Sequence, residues 1–295
     1  MLLLTGATGH VGTALLRRLI AAAHPVRCLV RDPRRLGPER VRVQIALGDL
    51  ADPPSFRNAL RGVSTVVHLA QAQRDQHAGS IEELNGIATW RMVRAAEHVG
   101  VEHFVFLSAL SASSHNRTRL LRAKALAEQA VLASDLRHTV FAPSLVYAPG
   151  DRLLTSLERL AMLSPVVPVS GRGRALYQPI WAEDVADCVM GALDDADADA
   201  TRRVRYELAG PQTLSHNAIV DLALRAAGRP RRTLNVPTPI VRRVLGALDA
   251  ILKSKAPLTW DEAELLEVSM VARHGTADAE ALGVAPRSMR AVLGA

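Results

Sequence analysis

The sequence predicts an α/β protein: a doubly wound parallel sheet with a smaller, α-rich C-terminal lobe. Three observations predict it. Six short apolar runs alternate with helical patterns over the first 150 residues, the arrangement that builds a parallel sheet with helices on both faces. The first run, residues 1–4, passes into Gly6, Gly9 and Gly12, spaced every third residue, and then into a helical pattern over 14–20. The residues with chemical potential fall just after the strands, where right-handed crossovers place a ligand crevice.

The first strand and its turn carry the sharpest signal. A pyrophosphate needs several backbone N–H groups aimed at it, and a side chain there would hold it off. Glycines remove that obstruction, and a helix N-terminus adds partial positive charge. Gly6, Gly9 and Gly12, with Thr8, His10 and Val11 between them, therefore form a candidate dinucleotide loop. A tight strand–helix turn with no ligand is the competing reading, and the strand before it and the helix after it favour the loop.

The remaining elements follow in order. Residues 26–30 form the second strand, and Arg31 follows it, 19 residues after Gly12. An acid on the ribose 2′-hydroxyl is common at that distance. A guanidinium instead matches a 2′-phosphate, so Arg31, with Arg34 and Arg35 close by, predicts NADP(H) over NAD(H). Asp32 competes, one residue late. Residues 41–47 form a third strand ending at Gly48-Asp49-Leu50, and Asp52-Pro53-Pro54 opens a helix. A fourth strand over 63–69 ends in Leu69, Ala70 and Gln71, before a polar loop over 71–79. Ser80 and Glu83 fit a capping box for a long helix that Gly100 stops. Residues 101–108 form the fifth strand, 118–133 a helix and 138–141 the sixth strand.

Bulk composition narrows the class. A chain of 295 residues that is 48% hydrophobic but 3% aromatic must build a largely aliphatic core. The net charge of +7 comes from scattered arginines with no aromatic platform, which argues against nucleic acid. No apolar run approaches the ~20 residues of a membrane span, and residues 1–4 are too short for a signal-peptide core. Cys28 and Cys188 fit no metal spacing and are expected to be inert buried thiols, in a soluble cytoplasmic protein.

The stretch Thr5-Gly6-Ala7-Thr8-Gly9-His10-Val11-Gly12 resembles the short-chain dehydrogenase/reductase superfamily, in its extended and atypical branches. The resemblance implies a Rossmann domain over 1–150 and a substrate or partner lobe over 151–295, with 178–194 returning to the first domain. It places Asp49, otherwise a simple helix or turn cap, beside the adenine ring, and Leu50, Leu69, Ala70 and Gln71 at the cofactor. It makes Asn85 either a family position or a buried polar residue. It also implies a catalytic tyrosine four residues before a lysine, whose charge lowers the tyrosine pKa from its usual value near 10. Lys124 occupies the lysine position, but Leu120 stands where the tyrosine should be. The serine position falls near Leu110, between Ser108 and Ser111. A proton must then come from Ser111, His115 or water, or the substrate must need little acid help, as an enone or quinone would. The third course is cofactor binding without turnover.

The second half continues the resemblance. Residues 142–150 match the segment that lines the substrate cleft, which makes Tyr147 a candidate substrate contact. Gly171-Arg172-Gly173 predicts a hairpin turn. Residues 178–186 match the returning segment, and 194–200 predicts an acidic surface loop. Residues 203–209 read as a strand, 215–227 as a helix, and Thr259 starts another capped helix. Ile240, Val241, Val244, Leu245, Leu248, Ile251 and Leu252 form one helical stripe, with Arg242, Arg243, Lys253 and Lys255 mostly off it. Such a stripe covers a domain or a homodimer contact more often than it rests on a membrane surface. Val30-Arg31-Asp32-Pro33, Arg122-Ala123-Lys124 and residues 206–211 most resemble the atypical group, with its NmrA-like regulators and the nucleotide-binding accessory subunit of respiratory complex I. The expected function is an NADPH-dependent reductase of a small carbonyl, enone or quinone substrate. A cofactor-binding regulator or assembly factor is the alternative.

Overall fold

Seven parallel strands make the central sheet of the computed structural model, which describes residues 1–194, 203–252 and 259–295. They are β1 (Leu2–Thr5), β2 (Val26–Val30), β3 (Gln44–Leu47), β4 (Thr65–His68), β5 (His103–Leu107), β6 (Arg137–Pro143) and an edge strand, Arg203–Leu208. The spatial order is edge strand, β6, β5, β4, β1, β2, β3. β1 thus pairs with both β2 and β4, and the chain leaves it in opposite directions. The loops after β1 and β4 part there and open a crevice at their carboxyl ends.

The strand alternation sorts the core into two layers. Leu2 and Leu4 face α1 (His10–Ala21) and α6 (Ala182–Asp194), packing with Leu15, Leu19, Val185 and Val189. Leu3 faces the opposite layer, with Phe56 of α2 (Pro53–Arg57), Met92 of α3 (Ala88–Val99) and Val131 of α4 (Arg119–Leu132). Both layers are mostly aliphatic, as the composition requires. Cys28 and Cys188 are fully buried, and burial pushes both thiols up to about 12. Charge joins the two helices of the first layer: Arg18 reaches Glu183 at 2.6 Å and Asp187 at 2.5 Å.

Four sequence expectations need correction. The third strand begins at Gln44, because Val41 ends a 3-10 segment (Pro33–Val41) and is 81% exposed. The sheet has a seventh strand: the strand read over 203–209 joins its edge and pairs with β6 along its whole length. The 80–99 helix carries a π-turn (Glu83–Ile87), where Gly86 lets α4 pass so close that a Cβ would lie 2.9 Å from Leu126. Gly171-Arg172-Gly173 turns the chain without making a hairpin. Val166–Ser170 before it pairs in parallel with Arg232–Val236, while Leu176–Tyr177 after it pairs with Leu214–Ser215.

The C-terminal lobe holds α5 (Arg152–Leu163), α7 (His216–Ala226), α8 (Thr238–Leu252) and α9 (Trp260–Leu265), the last started by a complete Thr259–Glu262 capping box. On α8, Leu245 is buried, but Ile240 and Val244 are half exposed, so that stripe covers the lobe only in part. The side chains of Leu248, Ile251 and Leu252, together with Lys253, Lys255 and the acidic segment 195–200, lie outside the described residues. α10 (Ala277–Ala281) returns to the sheet, where Asp278 accepts a 2.7 Å bond from the Glu207 amide.

Asp184 pins this tail. It is 2% exposed and accepts from the Arg287 amide at 2.8 Å and from its guanidinium at 2.8 and 3.0 Å. Asp184→Ala leaves those donors without their acceptor. Because Arg287 is half exposed, the expected loss is about 2 kcal/mol rather than the full cost of breaking a buried pair, measurable by urea denaturation.

Candidate active site

The glycine turn is fixed by contact with the neighbouring strand. Gly6 has φ +73°, and a Cβ there would lie 2.6 Å from the Ala70 amide nitrogen, just past β4. A Cβ on Gly12 would lie 2.1 Å from the Gly6 carbonyl oxygen. Both glycines are therefore required by packing alone. Gly9 differs. It has ordinary extended angles, and its Cβ would meet nothing nearer than 3.4 Å. Its bare backbone faces the cleft at the N-terminus of α1, where no side chain caps the helix and no acid occupies the first turn. This cradle fits a diphosphate, and the protein itself does not need it empty of a side chain.

The cleft has a volume of about 630 Å³ and runs along the carboxyl ends of the strands. Thr8, His10 and Val11 line it with the three glycines. On the β2 side stand Arg31, Arg35, Asp49 and Leu50. Arg31 donates to Gln76 at 2.8 Å and lies 4.0 Å from Asp49. Asp32 is engaged by Arg34, accepting from its amide and its guanidinium, each at 3.0 Å. Arg34 thereby holds the Asp32 carboxyl below its usual range. The competing acid is thus occupied, and Arg31 and Arg35 face the cleft. Leu69, Ala70 and Gln71 line the side after β4.

A chain of buried polar groups supports that side from below. Asn85 is 2% exposed and clamps the loop after β4, accepting from the Ala72 amide at 3.0 Å and donating to its carbonyl at 2.8 Å. Thr89 gives its hydroxyl proton to the Asn85 carbonyl at 2.6 Å. His68 must then donate to Thr89 through Nε2 (3.1 Å), which leaves Nδ1 to accept from Thr5 at 2.9 Å. Burial and the nearby Lys124 charge push the His68 pKa down to about 3, so this histidine is a neutral strut.

Lys124 is 1% exposed, and its ammonium donates to the Leu107 carbonyl at 2.5 Å beside the Phe106 ring. Burial pushes its pKa down to about 7, against the opposing pull of Glu128. Ser108 also lines the cleft, but its hydroxyl donates to Glu128 at 2.5 Å, and Glu128 is held by Arg205 at 2.7 Å. Ser108 is thus committed to the Glu128–Arg205 pair. Two expected site residues lie elsewhere. Ser111 adopts φ +63° and donates to the Ser269 carbonyl at 2.8 Å, off the cleft. Tyr147 is packed in the lobe core with its hydroxyl buried, and desolvation raises its pKa. The strand end that should have offered it to substrate is instead covered by Ile180–Trp181.

The far end of the cleft takes Leu145 from the segment 142–150 that the resemblance assigned to it, and Leu120, while its walls from Tyr177, Leu265 and Met270 had no local signal in the sequence. Leu107, Ala109, Leu120, Leu145, Tyr177, Leu265 and Met270 line this end, from segments more than 150 residues apart. Leu120 packs with Ile81, Ala123 and Leu265, so an apolar contact fills the position where the resemblance implies a tyrosine. Ion pairs strap α9 over this end. Arg74 grips Glu262 through two bonds of 2.8 Å, and Arg119 joins Asp75 (3.0 Å), Glu82 (2.7 Å) and Asp261 (3.4 Å). Only the capping box at Thr259 hinted that a helix stood here.

A family model described as NAD(P)H-binding matches residues 6–196 of this chain. The chain belongs to this NAD(P)H-binding family. Its relatives include an Arabidopsis thaliana protein named NADH dehydrogenase [ubiquinone] 1 alpha subcomplex subunit 9, mitochondrial, 25% identical over 90% of this chain and 67% of the relative. A ceramide reductase of Caulobacter vibrioides is 27% identical over 84% of this chain and 77% of its own. A nucleoside-diphosphate-sugar epimerase from Staphylococcus aureus shares the fold, with a TM-score of 0.76 and 20% identity over 100% of this chain and 99% of its own. These findings agree with the superfamily resemblance read from the glycine turn.

The three glycines separate packing from binding. Gly9→Val is expected to change stability by about 1 kcal/mol or less while weakening NAD(P)H binding about 100-fold. Gly12→Ala is expected to cost about 3 kcal/mol of stability, because the Gly6 carbonyl must move. Calorimetric binding and thermal melting of both variants check this.

Proposed function

We propose that this chain is an NADPH-dependent reductase of an apolar carbonyl, enone or quinone, with Lys124 as its proton source in place of a tyrosine. The observation that carries the reading is a buried, titratable lysine reaching an otherwise apolar end of a nucleotide cleft. When bound, the reduced nicotinamide supplies hydride to an electrophilic carbon of the substrate. Lys124 would hold the nicotinamide ribose and hand a proton to the oxygen that gains negative charge. Its pKa near 7 makes the ammonium a stronger acid than an ordinary lysine. Glu128 opposes the effect of burial and keeps the amine partly charged at neutral pH. The apolar walls exclude water, which protects the hydride and strengthens the lysine's field. Arg31 and Arg35 support a preference for the 2′-phosphate of NADPH, and a cytoplasmic location belongs to the same reading.

A second reading, a cofactor-binding regulator or assembly factor, has its own support. Leu120 can neither give nor take a proton, and one relative is named as a subunit of a larger complex. Co-purification with a stoichiometric partner, released by NADP(H), would favour it. A sustained turnover number would exclude it as the sole role.

Incubation with NADPH and a panel of ketones, enones and quinones should show substrate-dependent loss of reduced cofactor. No such loss at high protein concentration would sink the reductase reading. Because the ammonium is the acid and burial lowers its pKa, kcat/KM should be level below pH 7 and fall about tenfold per unit above it. Lys124→Met should lower the rate about 100-fold and abolish that fall. Arg31→Asp should weaken NADPH about tenfold more than NADH. Equal weakening would refute the arginine's assignment to the 2′-phosphate.

A further inference from the structure

The C-terminal lobe turns an uncovered face outward. Val166–Ser170 and Arg232–Val236 pair in parallel, with Val166 opposite Arg232 and Pro168 opposite Leu234. Val167 and Val169 point inward and are buried with Ala161, Val220 and Leu224. Strand alternation therefore places Val166, Pro168, Arg232 and Leu234 together on the outer face, and all four are exposed. Leu163, at the end of α5, is 86% exposed and Leu234 is 59% exposed. On α8, Ile240 and Val244 sit one turn apart and are each about half exposed.

Charge is one-sided in the same stretch. Residues 229–247 hold five arginines and no aspartate or glutamate. Arg229, Arg232 and Arg243 have no acidic partner among the described residues. We propose that this strand face, with the exposed end of α5 before it and the start of α8 after it, docks the protein on an anionic membrane surface, with Leu163, Leu234 and Ile240 entering the headgroup boundary and the arginines meeting lipid phosphates. The combination selects the occupant. Lipid satisfies apolar and cationic groups at once. A second copy of the same face would oppose arginine with arginine, and a nucleic acid would leave the leucines in water. No helix among the described residues is long and apolar enough to cross a membrane, so the contact is peripheral.

Co-sedimentation of the full chain with vesicles tests it. Binding to phosphatidylcholine vesicles containing phosphatidylglycerol should be at least about tenfold tighter than to phosphatidylcholine alone. Salt at about 0.5 M should weaken it. The double variant Arg232→Glu/Arg243→Glu should lose about tenfold or more, and so should Leu163→Asp/Leu234→Asp. Both should keep the wild-type circular dichroism melt, since every substituted side chain is exposed. Equal binding to both vesicle types, or variants that bind like the wild type, would overturn the proposal. So would a solution dimer that fails to bind vesicles and that Leu234→Asp dissociates.

Discussion

The site depends on one close approach: the backbone of Gly6 against the backbone just after β4. With no Cβ at Gly6, the turn after β1 lies against Leu69 and Ala70, and with none at Gly12 the first helix starts directly behind it. Because β1 and β4 are neighbours at the point where the sheet reverses direction, this contact also defines the crevice. A helix with bare N–H groups then points into it. The cofactor loop is thus a consequence of how two strands of a parallel sheet part.

The second half of the cleft is organised around α4. Gly86 lets that helix press against the π-turn, and the press brings Lys124 under β5 and Leu120 under α9. Desolvation and a single carboxylate partner then tune the lysine. At the position four residues before Lys124 this chain puts Leu120 in a hydrophobic contact with Leu265 of its own C-terminal lobe. α9 closes over that contact, and the ion pairs of Arg74 and Arg119 hold it in place.

Legibility along the chain followed the range of the interactions. The six strands over 1–150, the Ser80 and Thr259 capping boxes, the stop at Gly100 and the buried thiols were readable because each rests on residues a few positions apart. The edge strand was read as a strand, but its place beside β6 was not, since pairing partners some sixty residues away leave no local trace. The glycine turn at Gly171 suggested a hairpin for the same reason. Turn chemistry is local, whereas the partners of Val166–Ser170 are chosen by the distant Arg232–Val236.

The sequence by itself determined the alternating sheet, the bare glycine turn, the arginines after β2 and the leucine four residues before Lys124. These are matters of residue type and short spacing, which backbone sterics translate directly into geometry. Only the tertiary structure decided that Asp32 is engaged by Arg34, that Ser108 is held by Glu128 and Ser111 by Ser269, and that Tyr147 is core. It alone decided that Lys124 is desolvated and that Leu265 and Met270 close one end of the cleft. Burial and partnership are properties of the whole packed chain, and a titratable side chain takes its character from them rather than from its neighbours in sequence.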